Sequence, residues 1–139
     1  MIYEKEMFHF LLLHFPIGLF ITGYLFDVAG YFKRNDMFYT FGLWNMGMGF
    51  FWGILSIISG FITDQSLYGH MDSPFPIWTT HGTHMITSII FFLVIFVIKY
   101  METKDKVIIS KKVMIFIQTL AIAFFMHGTH IGAKLADRL

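Results

Sequence analysis

Four long apolar segments constrain what this chain can fold into. They cover approximately residues 8–32, 38–63, 77–100 and 107–133. Each reaches the ~20 residues that an α-helix needs to cross a hydrocarbon core of ~30 Å. The chain is also 56% hydrophobic and only 14% charged, which departs from the composition of soluble domains. The sequence therefore predicts an all-α membrane protein in which residues 1–139 form a single domain of four transmembrane helices.

The segments between these helices are short and polar, at approximately residues 33–37, 64–76 and 101–106. Short connections make consecutive helices antiparallel, so we expect an up-down-up-down bundle with both termini on the same side. The first apolar segment is longer than the core of a cleavable signal, and no small-residue cleavage site follows it. We therefore expect the first helix to be retained.

Lysine and arginine residues are distributed unevenly between the two sides of such a bundle. The side with the first and third connections carries seven of them, Lys99 included, and the side with both termini and the second connection carries three. Positive residues concentrate on the cytoplasmic side of membrane proteins. The count predicts termini outside the cytoplasm, which in a bacterium is the periplasmic side of the inner membrane. The net charge of +1 is too small to indicate a basic surface that binds nucleic acid.

Histidine residues are concentrated on that same non-cytoplasmic side. The tetrapeptide His-Gly-Thr-His occurs twice, at residues 81–84 and 127–130. All seven histidines share this side: His9, His14, His70, His81, His84, His127 and His130. A single histidine near a helix end is most often an interfacial residue, but a set of polar side chains inside a bilayer usually marks function. The sequence predicts a cofactor held by histidines from three helices.

Depth and spacing limit how these histidines could bind a cofactor. At 1.5 Å per residue, His14, His84 and His127 lie roughly 10 Å inside their helix ends, and His9, His81 and His130 lie about one turn shallower. Residues three apart share a helix face and differ by about 4.5 Å in height. The two histidines of one tetrapeptide therefore cannot be the opposite axial ligands of one haem. They could serve two haems, or one could bind while the other forms a hydrogen bond.

The glycines and the lack of cysteine limit which cofactors and ligands this chain could hold. Gly82 and Gly128 each cost helix propensity of ~1 kcal/mol, which makes sense if something bulky packs closely there. The second helix carries five glycines, and Gly49 and Gly53 have the spacing that lets helices approach closely. Helix packing is the favoured interpretation of that helix, with room for a flat macrocycle as the alternative. The absence of cysteine excludes thiolate ligands and covalently attached haem from this chain.

One acidic residue lies within an apolar segment, near its cytoplasmic end. Asp27 follows a long apolar stretch and precedes two basic residues, Lys33 and Arg34. We expect its carboxylate to reach the membrane interface or to pair with one of these two side chains. A role in proton transfer is the less favoured interpretation.

Several segments of the chain resemble a known family. They are His-Phe-Pro-Ile-Gly-Leu at 14–19 with His9 ahead of it, Leu-Phe-Asp-Val-Ala-Gly at 25–30, Ser-Gly-Phe-Ile-Thr-Asp at 59–64, His84, and Gly-Ala-Lys-Leu at 132–135. Together they resemble the bacterial membrane proteins grouped as domain of unknown function 2231, over nearly the whole chain. His81, His127 and His130 depart from that pattern. The resemblance implies electron transfer, because members of that family occur fused to Rieske or c-type cytochrome domains.

These observations lead to one interpretation with two alternatives. We expect a four-helix b-type cytochrome subunit of a larger hetero-oligomeric oxidoreductase complex, with one or two haem b groups on the non-cytoplasmic side. It would pass electrons between quinol and a c-type cytochrome or Rieske-like partner. The expected ligands are His14, His84 and His127 first, then His9, His81 and His130. The alternatives are a copper or zinc site formed by the same histidines, and a structural subunit without a cofactor.

Overall fold

Four helices form the part of the chain that the structure describes. The computed structural model covers the backbone of residues 2–67 and 80–135 and the side chains of residues 7–63 and 80–134. The helices are α1 (Ile2–Lys33), α2 (Asp36–Leu67), α3 (His81–Glu102) and α4 (Lys111–Leu135). Each contains a segment that is long and apolar enough to cross a membrane. The predicted all-helical membrane fold with four spans is confirmed, and the described ranges contain no strand.

The helix ends differ from the sequence prediction by a few residues. α1 begins at Ile2 and not near residue 8, while α4 begins at Lys111 and not near residue 107. The late start of α4 has a local cause. The β-branched residues 107–109 are outside any helix, and the Ser110 carbonyl accepts the first helical hydrogen bond from the Met114 N–H at 2.9 Å, as expected of a serine at the N-cap position. Residues 77–79, predicted to begin the third helix, lie outside the described residues, as does His70.

A two-residue turn reverses the chain between α1 and α2. Arg34 has a positive φ of 51°, a left-handed conformation that commonly ends helices. Asn35 follows, and its side-chain oxygen accepts a hydrogen bond from the Met37 N–H at 2.9 Å. That bond caps the first turn of α2. The two helices therefore run antiparallel from the start.

The four helices pack as a closed ring. α1 packs along α2, α2 on α3 and α3 on α4, while α4 packs only lightly on α1. Neighbours are antiparallel, which gives the expected up-down-up-down order. We call the end where α3 begins and α4 finishes the histidine end, and the end with the α1–α2 and α3–α4 connections the turn end. Which of them faces the cytoplasm stays a prediction.

The glycines of α2 make room for side chains of the neighbouring helices. A Cβ atom at Gly49 would lie 2.8 Å from the Phe20 ring of α1, and one at Gly47 would lie 3.0 Å from the Phe96 ring of α3. Gly53 likewise has no room for a Cβ beside Ile89. These contacts agree with the helix-packing interpretation of the glycines, because the space beside them is filled by this chain's own residues.

Three phenylalanines fill the middle of the bundle. Phe20 stacks on Phe92 with ring centroids 3.8 Å apart, and Phe125 meets both rings edge-on. All three side chains are completely buried. This aromatic layer separates the histidine end from the turn end.

A serine of α2 compensates for the proline inside α1. Pro16 has no N–H, so the Leu12 carbonyl one turn earlier loses its usual helical donor. The Ser56 hydroxyl lies 3.1 Å from that carbonyl and 2.9 Å from the Trp52 carbonyl of its own helix. It shares its proton between them. Side chains of neighbouring helices commonly satisfy backbone groups that a proline frees inside a membrane.

Removing the Ser56 hydroxyl tests this compensation. We expect Ser56→Ala to lower the free energy of unfolding by about 1–2 kcal/mol, because a buried carbonyl loses its donor. The matched control is Ser88→Ala, since Ser88 is also buried but bonds only to the His84 carbonyl of its own helix. Equilibrium unfolding of both variants in detergent micelles measures the difference. Equal losses in the two variants would contradict the proposed role of Ser56.

Candidate functional site

The two histidines that begin α3 are hydrogen-bonded to the backbone of α4. His84 is completely buried, and its Nε2 donates to the Phe124 carbonyl at 2.8 Å while its ring stacks on the Phe124 ring. His81 is partly buried, and its Nδ1 donates to the Gly128 carbonyl at 2.8 Å. Both rings of the first tetrapeptide therefore fix α3 against α4.

The glycines of α4 make that packing possible. A Cβ atom at Gly128 would lie 2.6 Å from Cδ2 of His84 and 3.0 Å from the sulfur of Met85. Gly132 has no room for a Cβ beside the ring of His81. The bulky group expected beside Gly128 is thus the His84 imidazole. The two copies of the tetrapeptide contact each other directly, ring against backbone, and do not line an open space between α3 and α4.

The histidines of the second tetrapeptide lie on the outside of the bundle. His127 and His130 are both exposed. The His127 ring is 5.1 Å from the His84 ring, at an angle of 45°. The first copy therefore contributes buried side chains and the second copy contributes exposed ones.

The two histidines of α1 point in different directions. His9 is partly buried, and its Nδ1 lies 2.8 Å from the Ser59 hydroxyl of α2. That hydroxyl donates its own proton to the Ser56 carbonyl, so it accepts the Nδ1–H of His9. His14 is exposed, and its Nδ1 donates to the Phe10 carbonyl of its own helix at 2.6 Å.

These hydrogen bonds determine which ring nitrogen carries a lone pair. In the neutral rings of His14 and His81 the proton is on Nδ1, because the carbonyl partner can only accept. In His9 it is on Nδ1 when the Ser59 hydroxyl donates to the Ser56 carbonyl. Nε2 is then left with the lone pair. Histidines that bind metals through Nε2 nearly always donate Nδ1–H to an oxygen in this way. His84 has the opposite arrangement, with Nε2 donating. The expected ligand His84 therefore differs chemically from His9, His14 and His81.

His14 and the exposed histidines of α4 lie at a similar depth. The Thr119 hydroxyl of α4 donates to the Tyr24 hydroxyl of α1 at 3.0 Å, which sets the register of these antiparallel helices. His14 on α1 and Thr129 on α4 each lie ten residues from this contact, toward the histidine end. At 1.5 Å per residue, these two positions are therefore at the same depth. His127 and His130 are each within one turn of that level. This seam between α1 and α4 is also the most lightly packed in the ring.

The space beside His14 is open. Gly18 lies one turn further along α1, on the same face, and a Cβ atom placed there would meet no other atom within 4 Å. The glycines of α2 described above are all filled by neighbouring side chains, so Gly18 differs from them. Among the residues whose side chains are described, no three His, Asp or Glu groups converge as a metal site.

A second polar cluster lies at the turn end, and the sequence did not reveal it. Asp27 pairs with Lys99 of α3 and accepts a hydrogen bond from Gln118 of α4. The expectation that it reaches the interface or pairs with Lys33 or Arg34 is wrong. Its side chain points inward, along the face of α1 that is buried.

The sequence positions of Asp27 and Lys99 do indicate that both side chains are buried. Asp27 continues the buried stripe of α1 formed by residues 16, 20 and 23, and Lys99 continues the stripe of α3 formed by residues 88, 92 and 95. Both stripes have the spacing of one helix face. Lys99 was counted among the basic residues near the connections, but the structure buries it.

Comparison with known families gives one assignment. The model of the family described as predicted membrane protein DUF2231 matches residues 6–139. The chain belongs to the DUF2231 family. Comparison with curated proteins and with solved structures gives no match. The resemblance to this family inferred from the sequence is confirmed. The description of the DUF2231 family states only that its members are predicted membrane proteins.

The contact between the two tetrapeptides can be tested through Gly128. We expect Gly128→Ala to lower the free energy of unfolding of this DUF2231 protein by about 1–3 kcal/mol, because the added methyl group overlaps the His84 ring. The cost should fall when the substitution is made in a His84→Ala background, where the methyl group has space. Unfolding of the two single variants and the double variant gives the coupling free energy. Additive losses would show that the ring does not contact Gly128.

Proposed function

We propose that this protein is a b-type cytochrome subunit that transfers electrons between quinol and a redox partner at the histidine end. The observation that carries the proposal is the hydrogen bond from Nδ1 of His14 to the Phe10 carbonyl at 2.6 Å. It leaves the Nε2 lone pair of an exposed imidazole beside the open surface at Gly18. Imidazole with a backbone acceptor on its other nitrogen is a preferred axial ligand for haem iron.

The proposed site lies at the seam between α1 and α4, not inside the bundle. The interior of the histidine end contains the stacked rings of His84 and Phe124, and further toward the turn end it is filled by Phe20, Phe92 and Phe125. His14 would supply one ligand, and exposed His130 of α4 would supply the other, since the His127 ring lies beside His84 of α3. Light packing between α1 and α4 favours this seam as the place where a flat cofactor fits.

The protein's own groups would set the properties of the site. The Phe10 carbonyl holds the Nδ1 proton of His14, which orients the ring and makes Nε2 a stronger donor. Exposed apolar side chains of the same faces, Leu11 and Met126 among them, keep water away. Haem b supplies reversible one-electron transfer when bound. His9 and His81, which share the same tautomer, are the remaining candidates for a second haem.

The proposal includes a cellular setting. The excess of positive residues at the turn end would place that end in the cytoplasm. The histidine end would then face the periplasm of a bacterial inner membrane, where a c-type cytochrome or Rieske-like protein could accept electrons. The protein would act within a hetero-oligomeric complex, with the lipid bilayer and quinol as its other partners.

An absorption spectrum of the purified protein tests the proposal. We expect reduced-minus-oxidised difference bands of a b-type haem, with one or two irons per chain. His14→Ala should remove the bands, or half of them if two haems bind, because an axial ligand is lost. The control is Met48→Ala, which truncates an exposed methionine of α2, away from the seam between α1 and α4, and should leave the bands unchanged.

Three results would contradict this assignment. Stoichiometric copper or zinc without haem bands would favour the metal-site alternative. Absence of both cofactors in a folded protein would favour a structural subunit. Haem bands that survive His14→Ala but disappear in His81→Ala would move the site from the α1–α4 seam to the interior.

A further inference from the structure

The polar cluster at the turn end is unusual because it is charged and almost completely buried. Asp27 is 1% exposed, Gln118 is 0% exposed and Lys99 is 5% exposed. All three lie within helices that can cross a membrane. Charged residues at such positions are costly and usually serve in transport, proton transfer or ligand binding. A purely structural ion pair is the alternative to be excluded.

The two oxygens of the Asp27 carboxylate have different surroundings. Oδ2 accepts from Nζ of Lys99 and from Nε2 of Gln118, the latter at 2.6 Å. Within the described part of the chain, Oδ1 of Asp27 has no hydrogen-bond partner, and neither does Oε1 of Gln118 or the hydroxyl of Tyr39. A structural ion pair in a low-dielectric interior is stable only when its remaining polar atoms are satisfied. Oδ1 is therefore the atom that can accept a proton.

Oδ1 faces α2, and Tyr39 lies on the same helix. Gly42 has no room for a Cβ beside Oδ1, so the carboxylate reaches the backbone of α2 only because this residue is glycine. Tyr39 lies three residues earlier, which places it on the same face of α2 and about 4.5 Å nearer the turn end. Its unpaired hydroxyl is thus the polar group of α2 that follows Oδ1 toward the membrane surface.

A surface pocket connects Tyr39 with the aqueous phase at the turn end. It has a volume of about 570 Å³, and its lining includes Tyr31, Arg34, Asp36, Tyr39 and Lys111. Nζ of Lys111 lies 3.8 Å from the centroid of the Tyr39 ring and 2.7 Å from Oδ1 of Asp36. Tyr39 therefore lines the pocket, while its hydroxyl is buried within the bundle.

We propose that Asp27 is a proton-binding site inside the membrane, and that it exchanges protons with the aqueous phase at the turn end through the Tyr39 hydroxyl. An excess proton in the pocket reaches the Tyr39 oxygen, and the hydroxyl passes its own proton on to Oδ1, each across a water molecule that enters the bundle, because the hydroxyl is buried and neither oxygen has a hydrogen-bond partner in the described part of the chain. One O–H bond forms and one breaks at the tyrosine, and a carboxylic acid forms at Asp27. No electron is transferred, and the proton leaves by the reverse step.

Protonation of Asp27 changes the net charge of the site, and the surrounding residues limit proton exchange to the turn end. The groups around the site are Lys99 and Glu102 of α3, Lys111 and Gln118 of α4, Asp36 and Tyr39 of α2, and Tyr31 of α1. Protonation raises the charge of the Lys99–Asp27 pair from zero to +1. The layer of Phe20, Phe92 and Phe125 lies between the pair and the histidine end and offers no polar group, so protons enter and leave at the turn end.

Infrared difference spectroscopy of the purified protein between alkaline and acidic buffer tests the proposal. We expect a carbonyl band of a protonated, buried carboxyl group to appear on acidification and to shift in D₂O. The band should shift again when the chain carries carbon-13 at the aspartate carboxyl carbon, and it should be absent in Asp27→Asn. If Asp27→Asn does not fold, Asp27→Glu replaces it: the band of the buried group should then lose its sensitivity to the aspartate label, whereas bands of exposed Asp36 and Asp105 would keep it.

The route is tested by the rate at which the band appears after a rapid drop in pH. Tyr39→Phe removes only the hydroxyl, and we expect it to slow the appearance by about tenfold or more, as for other losses of a proton-relay group. Tyr31→Phe is the matched control, because Tyr31 lines the same pocket and should leave the rate unchanged. Absence of an aspartic acid band in the folded protein would overturn the site, and an unchanged rate in Tyr39→Phe would overturn the route. Neither result depends on whether the protein binds haem.

Discussion

The ion pair between Asp27 and Lys99 is the interaction on which the rest of the bundle depends. Removing two charges from water costs several kcal/mol per ion, and the attraction between them offsets this only with close approach and additional hydrogen bonds. Here the carboxylate of α1 meets Lys99 of α3 and Gln118 of α4, and it lies against Gly42 of α2. One buried group therefore contacts all four helices. Helices in lipid have no hydrophobic reason to associate, so a shared polar contact of this kind determines their arrangement.

The bundle consequently has two chemically different ends. Charged groups with unpaired oxygens lie toward the turn end, imidazoles lie at the other end, and the layer of Phe20, Phe92 and Phe125 separates them. At the histidine end the polar groups are satisfied mainly by backbone carbonyls. This arrangement fixes the orientation of the imidazole rings, as ligands for a metal cofactor require. It leaves the carboxylate of Asp27 able to gain a proton, so the two proposed activities use separate parts of one small structure.

The number of helices, their order and the side shared by the histidines could be predicted from the sequence, because length, hydropathy and connection length determine them. The orientation of each side chain could not. Lipid and bundle interior are both apolar, so the usual contrast between a polar and an apolar helix face is missing. His84 and His130 occupy the same position of the repeated tetrapeptide, yet one is buried and the other exposed. The burial of Asp27 and Lys99 could have been predicted, since each continues a stripe of residues on one helix face. Their pairing could not, because it joins residues 72 positions apart.

The most direct test of this account is a double-mutant cycle of the free energy of unfolding with Asp27→Asn and Lys99→Met. Each single variant leaves one buried charge without its partner, for which a loss of about 3–5 kcal/mol is typical. The double variant removes both charges, so the account predicts that it is more stable than either single variant and that the coupling free energy is at least about 2 kcal/mol. Additive losses with no coupling would show that Asp27 and Lys99 do not pair inside the membrane and would contradict the account.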